Sequence, residues 1–276
     1  MSARKNALLA SVVAACALAG AESQTGFTPA PNAAAVWPLR DKTLVAWVSP
    51  ADLTQRGGSV LTIEKPGAVF DAIVFGELEP ATWMPGSDGF RRTLRDQSAF
   101  PKETAANPPL VQVAIVYQGR HIMFYRDGRL AAAYTAEGAE RFPSDSLVLM
   151  GLRHLDAGAE NRFFTGSIDD ARLYAGALTA EQIGALEPNQ PSDPQPLAWW
   201  DFENGATTDR MNTFPATTLF HAARIADGRL QLDQPGALLM ATRETLESRQ
   251  NAGASGGAAN SARALRERLA SDPHRP

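Results

Sequence analysis

Two acids, Glu77 and Glu79, stand two residues apart, a spacing that puts both carboxylates on one face of a strand. A retaining glycosidase needs two such groups about 5 Å apart, one as nucleophile and one as acid. This pair lacks a third acid and runs into Pro80, so it reads as a strand end rather than a catalytic centre. The four histidines, His121, His154, His221 and His274, show no H-E-x-x-H spacing and no cysteine beside them for zinc, and they read as structural residues. Gly253-Ala254-Ser255-Gly256-Gly257 fits G-x-S-x-G, yet no strand leads into it and its surroundings are a Gly/Ala/Ser linker. Asp169 and Asp170 could bind calcium, but an oxygen site takes about six donors and no Asp-rich loop surrounds them. A hydrogen bond to a neighbouring turn is the simpler role, and no cofactor is expected.

What remains is recognition without catalysis. A ring stacked on the apolar side of a sugar, with planar side chains bonding its hydroxyls, is the chemistry to look for. The segment after Pro80 offers Trp83, Phe90, Arg91 and Arg92, and the strand end after Gly151 offers Arg153 and His154. These six are the carbohydrate-binding candidates. The alternative is that Trp83 and Phe90 pin the loop to the core while the arginines pair with Asp88, Asp96 or Glu103. Trp199 and Trp200 alternate on a strand, which places one in the core and lets the other be exposed.

The element that must position these groups is residues 110–135. Asp127 and Gly128 form a two-residue turn of the kind that matches strand twist. Counting outward, Tyr125 faces Leu130, Met123 faces Ala132 and His121 faces Tyr134 on one side of the hairpin. Upstream, Val111, Val113, Ile115 and Tyr117 point one way, and Leu110, Ala114 and Val116 the other. Strands apolar on both faces lie in a sheet covered above and below, the middle of a β-sandwich. Further strands are expected at 43–49, 58–64, 68–76, 146–151, 163–174, 197–203 and 228–240, with Asp227 and Gly228 as a second turn. Residues 81–109 show little pattern, and loops of that length are usually functional or mobile. Thr179 and Gln182 form a capping box for one short helix near 179–186.

With 276 residues the chain can bury roughly 70% of its unfolded surface without metal or disulfide. A hydrophobic share of 44%, 22 Gly and 19 Pro describe a globular, turn-rich fold. The net charge of −4 gives no footprint for nucleic acid. Residues 1–21 read as an export signal, with Arg4 and Lys5 before an apolar run too short to span a bilayer. Val13-Ala14-Ala15-Cys16 also resembles a lipobox, which makes Cys16 a lipidation candidate and the sole route to a membrane. Either way the chain is expected to be exported, to the periplasm or the extracellular space, and lipidation at Cys16 would make it an outer-membrane lipoprotein. Cys16 is the only cysteine.

The order of an Asp-Gly hairpin (Tyr125-Arg126-Asp127-Gly128), then Gly166-Ser167-Ile168-Asp169-Asp170, Tyr174, Leu178, Thr179 and Ile183 resembles the laminin-G-like, concanavalin A-like family. That resemblance implies an all-β, two-sheet antiparallel jelly-roll β-sandwich. Its usual opening strands appear here after the helix, as Trp200-Asp201-Phe202-Glu203 and residues 228–233, which implies circular permutation. A truncated second copy is the alternative. The domain layout is then a signal at 1–21, a linker at 22–39, the jelly roll at 40–241 (main body 40–187, completing strands 197–241), and a flexible linker with a short helix at 242–276. Wording such as residues 56–64 and 83–93 is similar to the modules that precede the propeller of bacterial glycoside hydrolase family 32 enzymes, which act on fructans and sucrose-like sugars. This implies a non-catalytic carbohydrate-binding accessory module whose partners are a sugar or an adjacent catalytic propeller. A structural spacer with no ligand of its own is the alternative.

Overall fold

The computed structural model describes residues 36–105, 109–155 and 163–243. The export signal, Cys16, the G-x-S-x-G match, His274 and the C-terminal helix expected within 242–276 lie outside the described residues.

The first sheet is built on five strands of the main body: β1 (Lys42–Pro50), β5 (Val111–Gln118), β6 (His121–Arg126), β7 (Arg129–Thr135) and β9 (Gly166–Tyr174). The second sheet uses β2 (Gly58–Lys65), β3 (Val69–Phe75), β4 (Trp83–Ser87) and β8 (Leu147–Met150). The tail adds β10 (Ala198–Trp200), β11 (Ala216–Phe220), β12 (Arg224–Ala226), β13 (Arg229–Leu232) and β14 (Leu238–Thr242). The first sheet has eight strands in the order β12-β13-β9-β1-β5-β6-β7, with β10 also on β9; the second has six, β11-β14-β8-β2-β3-β4. All pairs are antiparallel, so the two sheets form an all-β jelly-roll sandwich. The tail strands enter both sheets instead of forming a copy of their own: β13 lies on β9 and β14 on β8.

The central strand behaves as its alternation predicts. Val111, Val113, Ile115 and Tyr117 join the core between the sheets. Ala114 and Val116 instead meet Val45, Trp47, Tyr174, Leu178, Ile183 and Leu186 on the outer face. That face is covered by the helix α1 (Ala180–Gly184) and the turn before it. Thr179 Oγ1 accepts from the Gln182 backbone N–H at 3.2 Å while the Gln182 side chain accepts from the Thr179 N–H at 2.9 Å. A helix this short depends on its cap, so Thr179→Ala should lower stability by about 1 kcal/mol, measured by urea denaturation.

The hairpin register differs from the count. Tyr125 does face Leu130, but beyond a bulge Phe124 faces Ala132, Met123 faces Ala133, Ile122 faces Tyr134 and His121 faces Thr135. Ala131 is the extra residue; strict two-residue counting cannot register an insertion, and a small side chain leaves no other mark. The shift has a consequence, because it carries Tyr134 to where its hydroxyl donates to the Arg92 carbonyl at 2.9 Å.

The patternless stretch contains β4. Pro85 disguises it in the sequence, and an edge strand tolerates proline because one row of its N–H groups faces outward. The chain from Asp88 to Ala105 then closes the gap between the two sheet edges, β4 and β7. Phe100 meets Phe124 at 5.2 Å between ring centroids. Glu103 accepts from Trp83 Nε1 at 3.0 Å and from both Nε and Nη2 of Arg126 at 2.8 and 2.9 Å.

Candidate functional site

Two of the six candidates are interior struts. Trp83 is fully buried on β4, packed against Phe75 and Phe164, and presents no face to a ligand. Arg92 is 3% exposed. Its Nε donates to Asp71 Oδ1 at 2.5 Å and its Nη2 to the Phe70 carbonyl at 2.9 Å, with Asp88 as a further partner. Asp71 also holds Lys42, whose Nζ lies 2.7 Å away between the rings of Tyr117 and Phe142. Burial lowers the Lys42 ammonium from its ordinary value, with Asp71 opposing. The reason is that the strand turns Trp83 inward, while the turn at Asp88–Phe90 brings Arg92 back over Asp71. The pairing of an arginine here with Asp88 is the alternative anticipated from sequence.

The other four lie nearer the surface. Phe90 is half-buried, and the Arg95 guanidinium sits 4.3 Å from its ring centroid. Arg91 is exposed. Arg153 pairs with Glu77, and the His154 ring stacks on Phe70 at 4.6 Å and 13°. Phe90 and Arg153 come together indirectly: Arg95, which covers Phe90, acts electrostatically on the same Glu77. Burial raises the Glu77 carboxyl above its usual range, with Arg153 and Arg95 opposing. Arg56 donates from Nη2 to the Glu77 and Leu78 carbonyls at 3.1 and 3.4 Å. Glu79 pairs instead with Lys102 at 3.3 Å.

The acids of the motif at 166–170 are committed. Asp170 accepts from Arg172 Nε and Nη2 at 2.9 and 2.7 Å, from the Asn189 N–H at 2.7 Å and from Trp199 Nε1 at 3.0 Å. Asp169 accepts from Asn189 Nδ2 and Arg229 Nε, both at 2.9 Å. Arg172 lies between the rings of Trp47 and Trp199, at 4.9 and 4.8 Å. This cluster clasps the connector and the tail to β9. It also corrects the expectation that one tail tryptophan could be exposed: Trp199 and Trp200 are 1% and 0% exposed, because Arg172 and Arg210 cover Trp199.

A cleft of about 380 Å³ was not anticipated. It is lined by Val36, Trp37, Pro38, Leu39, Arg40, Asp41 and Ala175. Trp37 is half-buried, edge-on to Phe214 at 6.3 Å and 83°, with Arg243 5.0 Å from its ring. Its Nε1 has no acceptor among the described residues. Arg40 is exposed at the rim, and Asp41 Oδ1 accepts from the Gly119 N–H at 2.8 Å. Residues 36–39, expected as linker, belong to the body, for Leu39 is buried and bonds Phe142 in both directions at 2.8 and 2.9 Å. The proline- and alanine-rich lead-in concealed this tryptophan; its one signal was a large aromatic in an otherwise small-residue segment.

The chain is thus a two-sheet antiparallel sandwich with one capped helix on its outer face. The family model described as Concanavalin A-like lectin/glucanases superfamily matches residues 23–184, and the chain belongs to that family. No curated protein matches the chain. Among solved structures it is similar to the native heptameric SAP-like pentraxin from Limulus polyphemus, at 15% identity over 55% of this chain and 71% of that one, TM-score 0.39. It is similar to Domain 4 of AbnA, a GH43 extracellular arabinanase from Geobacillus stearothermophilus, in complex with arabinotriose, at 20% identity over 52% of this chain and 65% of that one, TM-score 0.38. A third likeness is the Ruminococcus gnavus IT-sialidase CBM40 bound to alpha2,6 sialyllactose, at 16% identity over 55% and 85%, TM-score 0.37.

Proposed function

We propose that the chain is a non-catalytic carbohydrate-binding module and that sugar is held at the Trp37 cleft. Membership of a lectin and glucanase superfamily supports a sugar ligand. The observation that carries the site is a half-buried tryptophan lining a cleft rimmed by Arg40 and Asp41. The cleft volume falls within the roughly 300–1,000 Å³ of small-ligand sites. The resemblance in wording extends the reading to an exported accessory module beside a family 32 propeller acting on fructan-like sugars, with Cys16 as its lipid attachment. Among the described residues no helix is long and apolar enough to cross a membrane.

Affinity electrophoresis in levan, inulin and unrelated glucans tests this. Retardation in at least one gel is expected, with Trp37→Ala weakening it about tenfold, the scale of one ring contact. Arg40→Ala, at an exposed position, guards against a folding defect in the tryptophan variant. Unchanged mobility in every gel, with the fold intact, would leave the second reading: a structural module. That reading is favoured by the interior placement of Trp83 and Arg92.

A further inference from the structure

Four separate loops meet around Glu77. Arg56 precedes β2, Glu77 follows β3, Arg95 follows β4 and Arg153 follows β8. Arg153 pairs with Glu77, Arg56 bonds the Glu77 and Leu78 carbonyls, and Arg95 approaches from over the Phe90 ring. Only Arg153 pairs with the Glu77 carboxylate; Arg56 bonds main-chain carbonyls beside it and Arg95 acts on it electrostatically without an ion pair, so three cations stand around one acid on a chain that is acidic overall. The neighbouring acids do not correct it. Glu79 belongs to Lys102, and Asp96 accepts from the Ser98 N–H and hydroxyl at 3.1 and 2.7 Å without pairing with Arg95.

A planar guanidinium matches an oxyanion in shape, and a cation already desolvated on one side gains more from such a partner than a free one does. From this convergence we infer a second binding site, at Arg95, Arg153 and Arg56, for the carboxylate or sulfate group of an acidic polysaccharide. Glu77 is its internal counter-ion: it holds the arginines together when no ligand is present and opposes an incoming anion. Phe90 supplies an apolar edge beside the charged group. The anion preference stands on the arginines, whereas the choice of a polysaccharide rests on the carbohydrate reading above.

Affinity electrophoresis separates the two. The purified chain is run in gels containing polygalacturonate, dextran sulfate or neutral inulin, against a non-binding reference protein, and polyphosphate binding is measured in solution. Retardation in an acidic gel is expected; which one responds distinguishes carboxylate from sulfate. Arg95→Ala should weaken it about tenfold, the scale of one charged hydrogen-bond partner, and Glu77→Gln should strengthen it. Added salt should reduce it, as for any exposed charge contact. Arg95 is exposed and makes no ion pair among the described residues, so its variant is expected to melt like the parent. Retardation in inulin alone would overturn this site and leave the Trp37 reading standing. Binding to polyphosphate but to neither acidic gel would overturn the polysaccharide assignment, as would acidic-gel retardation that Arg95→Ala leaves unchanged.

Discussion

Asp71→Ala should cost about 3–5 kcal/mol of folding stability, the range for removing one partner of a buried ion cluster. Asp71 is wholly buried and is the shared counter-ion of Lys42, 1% exposed, and Arg92, 3% exposed. Without it two cations remain in a region of low dielectric, with only Asp88 left as an ion-pair partner for Arg92 and none for Lys42 among the described residues. The damage should spread, because Arg92 fixes the chain that closes the β4 and β7 edges and its carbonyl anchors Tyr134. Urea denaturation of the variant measures it. Replacing Lys42, Asp71 and Arg92 together by Met, Leu and Leu should recover most of the loss, since apolar groups of similar size need no counter-ion. A single-variant loss under about 1 kcal/mol would indicate that the cluster is hydrated and that its charges are not in demand of one another.

A chain ending at Glu187 should fail to melt as a cooperative unit, although it retains the whole 23–184 family match. Without the tail, β9 loses β10 and β13, and β8 loses β14. The central core loses Trp200, Phe202, Phe214, Leu230, Leu232 and Leu239, and the clasp around Arg172 loses Trp199. At about 1.5–3 kcal/mol for each large apolar side chain, the loss exceeds the 5–15 kcal/mol that holds a typical domain together. Calorimetry and near-ultraviolet circular dichroism would report it as a broad transition and a flattened aromatic spectrum. A truncated chain that melted as sharply as the parent, at the same temperature, would make the tail an appendage and would remove the proposal that 40–241 is one unit.

Legibility followed how local the signal was. The alternation in β5, the Asp-Gly turns and the Thr179 capping box are written in adjacent residues, and each folds as its wording predicts. The destination of the tail was legible too, because Trp200 to Glu203 and residues 228–233 repeat an opening that the main body lacks. Features with a contrary or silent local signal were lost. Pro85 argued against a strand that an edge position permits; β11 and β12 are short, with no strong apolar alternation; and Ala131 shifted a register without altering composition. Site residues fared worse, for a long-range reason. An exposed aromatic and one that pins a loop have the same letters, so Trp83 could not be told from Phe90 until the course of β4 was known. The arginine cluster draws on positions 56, 77, 95 and 153, and nothing in any one segment names the other three.

Arg243 lies over the Trp37 ring, so the first and last described segments of the chain are in contact. In principle, a short bridge from 243 to 36, with a break opened in the proline-rich connector at 188–196, would rearrange the reading order of the chain while leaving every strand beside its present neighbour. The order of these strands along the chain and their order in space are therefore separable.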